Sequence, residues 1–345
     1  MARFHRFRTG KVPSDVLRRV VFNRLGVTSD RLLQGPGVGE DAAVIDDGNK
    51  VLVVATDPIT GAIGNIGWLA VHINANDIAS TGARPLWFLC ATLLPEDADE
   101  ELLGGIMEQI NDACIEVGVS LIGGHTETTP GLDRPILIGF MIGEAKKDAY
   151  VTTGGAKPGD KIILTKTAGI EGTAVLAQDL KSVLEERVGR EVLSSAESML
   201  NLISVVPEAM RSMEVGGVHS LHDPTEGGLL NGLWEMAEAA GVGVIMREEA
   251  VPIAEETRLI SKALHIDPLK LMGSGALLIV SEPARAGRII SALGEIGVDA
   301  SIIGEVTPKA EGRTLVKADG SKVPIEAVDQ DEVYRVLDEY SMGVS

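Results

Sequence analysis

The chain has 345 residues, 45% of them hydrophobic and 23% charged, which excludes a disordered or low-complexity protein and gives room for two packed domains without disulfide or zinc staples. Fifty acidic against 31 basic residues leave a formal charge of −19, a poor match for nucleic acid or an anionic membrane surface. No apolar run approaches the ~20 residues that cross a bilayer, and Cys90 and Cys114 lie in apolar stretches without ligand spacing, as reduced thiols of a cytoplasmic protein would. In chain order, Arg3, Arg6, Arg8, Lys11, Arg18, Arg19 and Arg24 face only Asp15, forming a basic arm. It leads into a first helix, signalled by Leu17, Val20, Val21 and Leu25 behind Pro13-Ser14 and stopped at Gly26, so residues 1–30 form one leading unit. Strand-length apolar runs at 51–55, 86–94 and 136–142 then alternate with helical patterns near 66–81 and 100–117, an α/β rhythm. A hydrophilic stretch ending in Lys157-Pro158-Gly159-Asp160 places a domain boundary near 150, dividing 31–150 from 151–345. Beyond it, a strand at 161–165, helices around 171–186, 191–213 and 227–240, and strands at 242–247 and 276–280 predict a second α/β domain.

Five segments carry polar groups that packing alone does not require. Gly35-Pro36-Gly37-Val38-Gly39-Glu40-Asp41 runs straight into a strand. Bare glycines let backbone N–H groups approach a phosphate while a carboxylate holds its magnesium, although the run is neither a Walker A loop nor G-x-G-x-x-G, and an acidic turn reads the same. Asp57 closes the second strand, where α/β proteins present functional groups. Asn74, Asp77 and Thr81 share one stripe of an otherwise apolar helix, either a solvated face or buried groups that need partners or a metal. Gly123-Gly124-His125-Thr126-Glu127 follows a short strand as a polar loop, where His125 has the chemistry to ligate a metal or bond a phosphate. His222-Asp223-Pro224-Thr225-Glu226-Gly227-Gly228 opens a helix, with Asp223 or Thr225 suiting an N-cap as well as an anion or metal site.

Taken in this order, the segments resemble the PurM-like superfamily of aminoimidazole ribonucleotide synthetase, thiamine-monophosphate kinase, selenophosphate synthetase and the hydrogenase maturation factor HypE. Gly39-Glu40-Asp41-Ala42-Ala43-Val44-Ile45 is similar to the family's G-D-D-A-A-V-I and Thr56-Asp57 to its T-T-D. Residues 76–85, Asn-Asp-Ile-Ala-Ser-Thr-Gly-Ala-Arg-Pro, are similar to N/S-D-(L/I)-A-x-x-G-A-x-P, and 222–229 resemble HypE, which carries D-P-T-R-G-G-L there. The resemblance covers nearly the whole chain. It implies an α+β N-terminal domain whose strands pair across a homodimer, and an α/β C-terminal domain closing over ATP. It further implies phosphoryl transfer from ATP with Mg²⁺ held by acids, a reaction that needs positioning and charge more than covalent chemistry. By motif position, the metal ligands would be Asp41, Asp57 and Asp77; the ATP contacts Gly39, Asp41, Asn76, Gly123, Gly124 and Thr126; and the catalytic groups Asp77, His125 and Asp223.

Departures from the family pattern shape the functional expectation. His125 stands where thiamine-monophosphate kinase and HypE place Asp and the purine enzyme places Glu, and imidazole is a poorer Mg²⁺ ligand. The sequence ends Glu339-Tyr340-Ser341-Met342-Gly343-Val344-Ser345 where HypE ends in the cysteine that receives its carbamoyl group, and Asp57-Pro58-Ile59-Thr60 is not the purine enzyme's D-G-V-G-T-K. The leading expectation is an ATP- and Mg²⁺-dependent enzyme acting on a carboxamide-like or other phosphate acceptor. The alternatives are a thiamine-monophosphate-kinase-like enzyme and a non-catalytic ATP-binding accessory of a maturation partner. Arg3, Arg6, Arg8 and Lys11 are expected to fold over the triphosphate.

Overall fold

The computed structural model describes residue 7 and residues 9–61 and 63–341; Arg3, Arg6 and Arg8 lie outside them. After a short helix α1 (Ser14–Val20), the first half builds one sheet from β1 (Leu32–Gln34), β2 (Ala43–Asp47), β3 (Lys50–Ile59), β4 (Arg84–Leu94), β5 (Ser120–Thr128) and β6 (Ile136–Lys146). Their order is β1-β2-β3-β6-β4-β5, and only β4 and β5 run parallel. Helix α2 (Ile66–Ala79) lies on β3, β6 and β4, and α3 (Glu100–Val117) packs over it. The Asp99 side chain starts α3 by accepting from Leu102 N at 2.9 Å, and Gly118, left-handed at φ 79°, stops it.

The second half pairs β7 (Lys161–Thr165), β8 (Val218–His222), β9 (Gly243–Arg247), β10 (Leu278–Ser281), β11 (Ala300–Thr307), β12 (Arg313–Val316) and β13 (Lys322–Pro324) in the order β13-β12-β9-β11-β7-β10-β8. Helices α4 (Ile170–Asp179), α5 (Lys181–Val188), α6 (Arg190–Ser198), α7 (Val206–Val215), α8 (Gly228–Ala240), α9 (Glu255–Leu264), α10 (Pro283–Glu295) and α11 (Glu332–Ser341) surround it. Alternate residues of β7 feed two cores: Ile162 and Leu164 pack with Leu229 and Leu233 of α8, while Ile163 packs with Ala209 of α7 and Ile289 of α10. A strand buried on both faces reads as the continuous apolar run found in the sequence.

The joint between the halves is α2. Every residue in it except Trp68 is buried, because sheet, α3 and α7 enclose it on three sides. Its Leu69 and Ile73 belong to the same apolar cluster as β7 and α8. Mixed α/β architecture is thus observed in both halves, and no helix of the described residues is long and apolar enough to cross a membrane.

Several sequence expectations change. Of the two readings left open for the Asn74–Asp77–Thr81 stripe, the buried one is observed. The polar loop around His125 is strand β5, exposed along its whole length. Asp223 and Thr225 do not cap α8, which starts at Gly228 behind the left-handed Gly227 (φ 78°). The helix expected over 171–186 breaks at Leu180, and the one over 191–213 divides into α6 and α7, the latter restarted by Pro207.

Candidate functional site

Four acids converge where the halves meet. Asp41 lies between the glycine run and β2, Asp57 in β3, Asp77 in α2 and Asp223 at the end of β8. Asn74 fixes the second of these through its backbone, accepting from Asp57 N at 2.9 Å and donating to Asp57 O at 3.2 Å. Burial pushes the Asp57 carboxyl up to about 6, with Lys11 opposing and Asp41 and Glu226 adding to the rise. Asp77 is raised well above its ordinary range by burial and by Asp57, Asp223 and Asp41. Asp223 is pushed up to about 7 by burial and Asp41, against His222 and the Ser80 hydroxyl, which donates to Oδ1 at 3.0 Å. Its other oxygen, Oδ2, is buried with no hydrogen-bond partner among the described residues.

His222 bridges the cluster to α8. Nδ1 lies 2.9 Å from Asp41 Oδ2 and Nε2 lies 3.1 Å from Glu235 Oε2. Burial opposes its charge, but the two carboxylates outweigh burial and hold the imidazolium well above its usual range. One ligand atom each from Asp41, His222 and Asp223 lies within 4.8 Å of the others. Since both His222 nitrogens are occupied by carboxylates, a cation here would meet oxygens, the hard donors that Mg²⁺ prefers, with the bare Asp223 Oδ2 ready to ligate. A cavity of about 670 Å³ opens beside Asp41 and Glu235, lined also by Lys11, Gly37, Gly39 and Trp234. That volume lies in the range of small-molecule sites.

The other expected contacts are placed differently. Asn76 is fully buried and bridges the halves, donating to Ile203 O at 2.8 Å and accepting from Val205 N at 2.9 Å, so its amide is taken up by backbone rather than offered to a nucleotide. Gly39, left-handed at φ 78°, touches α8, where a Cβ would stand 3.0 Å from Glu235 O. Gly124 has a steric reason of its own, because a Cβ there would overlap the Cys90 carbonyl oxygen. Gly123, Gly124, His125 and Thr126 all lie on exposed β5, away from the acids. In register, Asp57 pairs with Gly139, Gly139 with Cys90 and Cys90 with Gly124. Three strand spacings of ~4.8 Å therefore separate Asp57 from Gly124, roughly 14 Å. His125 Nε2 lies 3.0 Å from Glu127 Oε2, and both side chains are exposed.

The sequence reading did not assign His222, Glu235 or Ser80 a role in the site. His222 adjoined a recognised motif, and Asn231 and Glu235 form an i, i+4 polar pair in apolar α8, which was a legible sign; Ser80 gave none.

Four buried or half-buried acids gathered at the joint of two α/β halves, with Asp41 beside a cavity of small-molecule size, define a two-domain α/β protein with a candidate site for a polar ligand. Residues 39–145 match the AIR synthase related protein N-terminal domain and residues 157–317 its C-terminal domain. The chain belongs to the AIR synthase related family, as its motifs led one to expect. A hydrogenase expression/formation protein of Methanocaldococcus jannaschii is 30% identical over 91% of this chain and 93% of its own length. The carbamoyl dehydratase HypE of Cupriavidus necator is 30% identical over 77% of this chain and 75% of its own. Among solved structures, HypE in the HypE-HypF complex superposes with TM-score 0.74 at 26% identity, covering 91% of this chain and 99% of that one. HypE in complex with ATP gives 0.71 at 25%, covering 95% and 98%. Thiamine-monophosphate kinase of Aquifex aeolicus shares the fold, with TM-score 0.67 at 20% identity over 82% of this chain and 92% of that one.

Proposed function

We propose that this chain is an ATP- and Mg²⁺-dependent enzyme that transfers a phosphoryl group to an oxygen of a carboxamide-like or related small acceptor, working as a homodimer with a maturation protein as partner. The observation that carries this reading is the convergence of Asp41, Asp57, Asp77 and Asp223 on one buried site with an unpartnered Asp223 oxygen. Burial and the mutual repulsion of these acids raise the pKa values of Asp57, Asp77 and Asp223, a state that a divalent cation relieves. The names of the relatives, hydrogenase formation proteins and a HypE bound to ATP, support the same chemistry.

Within this reading the chain's own groups have separate tasks. Asp41, Asp57, Asp77 and Asp223 hold the cation, which would neutralise charge on the phosphates. His222 holds Asp41 in place, Ser80 turns Asp223, and Asn74 holds the Asp57 backbone. The glycine run presents backbone at the cavity wall, where bulk would exclude a ligand.

The test is the thermal midpoint with Mg-ATP, compared with Mg²⁺ alone and ATP alone. Ligand at ~100 times its dissociation constant stabilises by about 2.7 kcal/mol, so a clear upward shift requiring both components is expected. Asp77→Asn should weaken Mg-ATP binding at least threefold, and an unchanged affinity would remove Asp77 from the metal site. Binding without ADP release, in the presence of acceptors and partner, would favour the non-catalytic accessory instead.

A further inference from the structure

We propose that Lys11 is a phosphate-contacting residue of this site, delivered by the N-terminal segment and docked there by Glu226 and Tyr334, and that it sets the preference for a nucleoside triphosphate over a monophosphate. The inference rests on the reading of the acidic cluster as a Mg-nucleotide site.

The segment is held on both sides of Lys11. Before it, Gly10 has φ 111°, and a Cβ there would stand 3.2 Å from two carbons of the Tyr334 ring. A side chain at that position is strained by conformation and would make the Tyr334 ring give way. At Lys11 itself, the backbone N–H donates to Glu226 Oε2 at 2.6 Å, while Tyr334 donates to Glu226 Oε1 at 3.2 Å. Glu226 is thus a dock for the main chain, with both oxygens in use. Beyond it, Arg18 of α1 reaches Glu238 of α8 at 2.9 Å.

Between these anchors the ammonium is left with little to do. Its hydrogen bond among the described residues is to Thr225 Oγ1 at 3.3 Å, and no carboxylate of the described residues comes within the 4.0 Å of an ion pair. Lys11 nevertheless lines the cavity alongside Asp41 and Glu235. Burial opposes its charge, but the fields of Glu235, Asp41, Glu226 and Asp57 raise its pKa and keep it protonated. A charged group with three donors, held at the mouth of an acidic site yet paired with none of the acids, is suited to an anion that arrives with its own cation. A triphosphate bound with Mg²⁺ has that form. An AMP, with one phosphate and little metal affinity, does not reach both groups.

The experiment compares wild-type protein with Lys11→Met, Lys11→Gln and Lys11→Arg, titrated calorimetrically with ATP and with AMP in excess Mg²⁺. The expected result is a loss of at least tenfold in ATP affinity for the Met and Gln variants, with AMP affinity within twofold of wild type and most of the ATP affinity restored by Arg. Tyr334→Phe should show a smaller loss of the same selective kind, since it loosens the dock without touching the ligand. Unchanged ATP affinity in the Met and Gln variants, or equal losses for ATP and AMP, would overturn the role of Lys11 while leaving the nucleotide site standing. Failure of the wild type to bind Mg-ATP would overturn both. Unliganded midpoints within about 2 °C of wild type identify the folded variants, and because Lys11 takes no part in any apolar core this is expected of all three at that position.

Discussion

At the scale of single residues, burial and charge decide the behaviour of the joint between the halves. Asp331 shows this outside the acidic cluster. It accepts from Val333 N at 2.8 Å, capping α11, and from Gly227 N at 2.7 Å, tying that helix to the segment that carries Glu226. Burial pushes its carboxyl up to about 7, the N–H groups of Val333, Gly227 and Met272 oppose the rise, and Glu226 adds to it. The folded state therefore binds this proton more tightly than the unfolded chain, whose Asp titrates near ~3.9. Between about pH 4 and 7 unfolding releases the proton, so this residue's contribution to stability declines as pH rises through that window and is level above it. Asp331→Asn should remove that component. The difference in thermal midpoint between wild type and variant, measured from pH 4 to 8, is expected to move against the wild type up to pH 7 and then flatten; a constant difference would mean the carboxyl titrates normally.

At the scale of elements, α2 and the 202–205 segment form the mechanical link. Asn76 reaches Ile203 and Val205 from one half, and Lys166 donates to Leu202 O at 2.9 Å, Ser204 O at 2.6 Å and Gly275 O at 2.8 Å from the other. Asn76→Ala would leave a buried carbonyl and a buried N–H unpaired, at about 1–3 kcal/mol each. A fall of several degrees in midpoint with Mg-ATP affinity largely kept is expected, and the opposite pattern would return Asn76 to the nucleotide. The sequence showed α2, α3 and β7 well, because their apolar patterns stand out from the polar and glycine-rich stretches around them, with Gly118 ending α3. It concealed the break at Leu180, where neither Gly nor Pro marks the stop, and it concealed β5, whose glycines and polar residues form a strand only by pairing with β4. The acids of the site were legible as motifs. Their clamp was not: His222 and Asp41 lie 181 residues apart, and only the closure of one half on the other brings them together.

At the scale of the whole molecule, β5 is an edge strand with every residue exposed, Leu121 at 41% and Ile122 at 53%, and Phe140 of β6, beyond β4, is open as well. Such an edge is a template for pairing, and soluble proteins blunt or cover it. Here it also carries Gly123, Gly124, His125 and Thr126, the motif residues roughly 14 Å from the acids of their own chain by strand spacing. A second copy covering this edge would account for both facts, burying the apolar residues and letting the motif face a site other than its own, as the homodimer proposed above requires. The expected assembly is a dimer of twice 36.3 kDa by light scattering at micromolar concentration. Ile122→Lys, which places a charge on the pairing edge, should weaken that dimer at least tenfold while leaving the monomer folded, because Ile122 contributes to none of the apolar cores. If Mg-ATP affinity falls in step with dissociation, β5 serves the partner's site; if the dimer is lost and affinity is untouched, each chain binds its nucleotide alone. A wild-type monomer would count against the pairing itself.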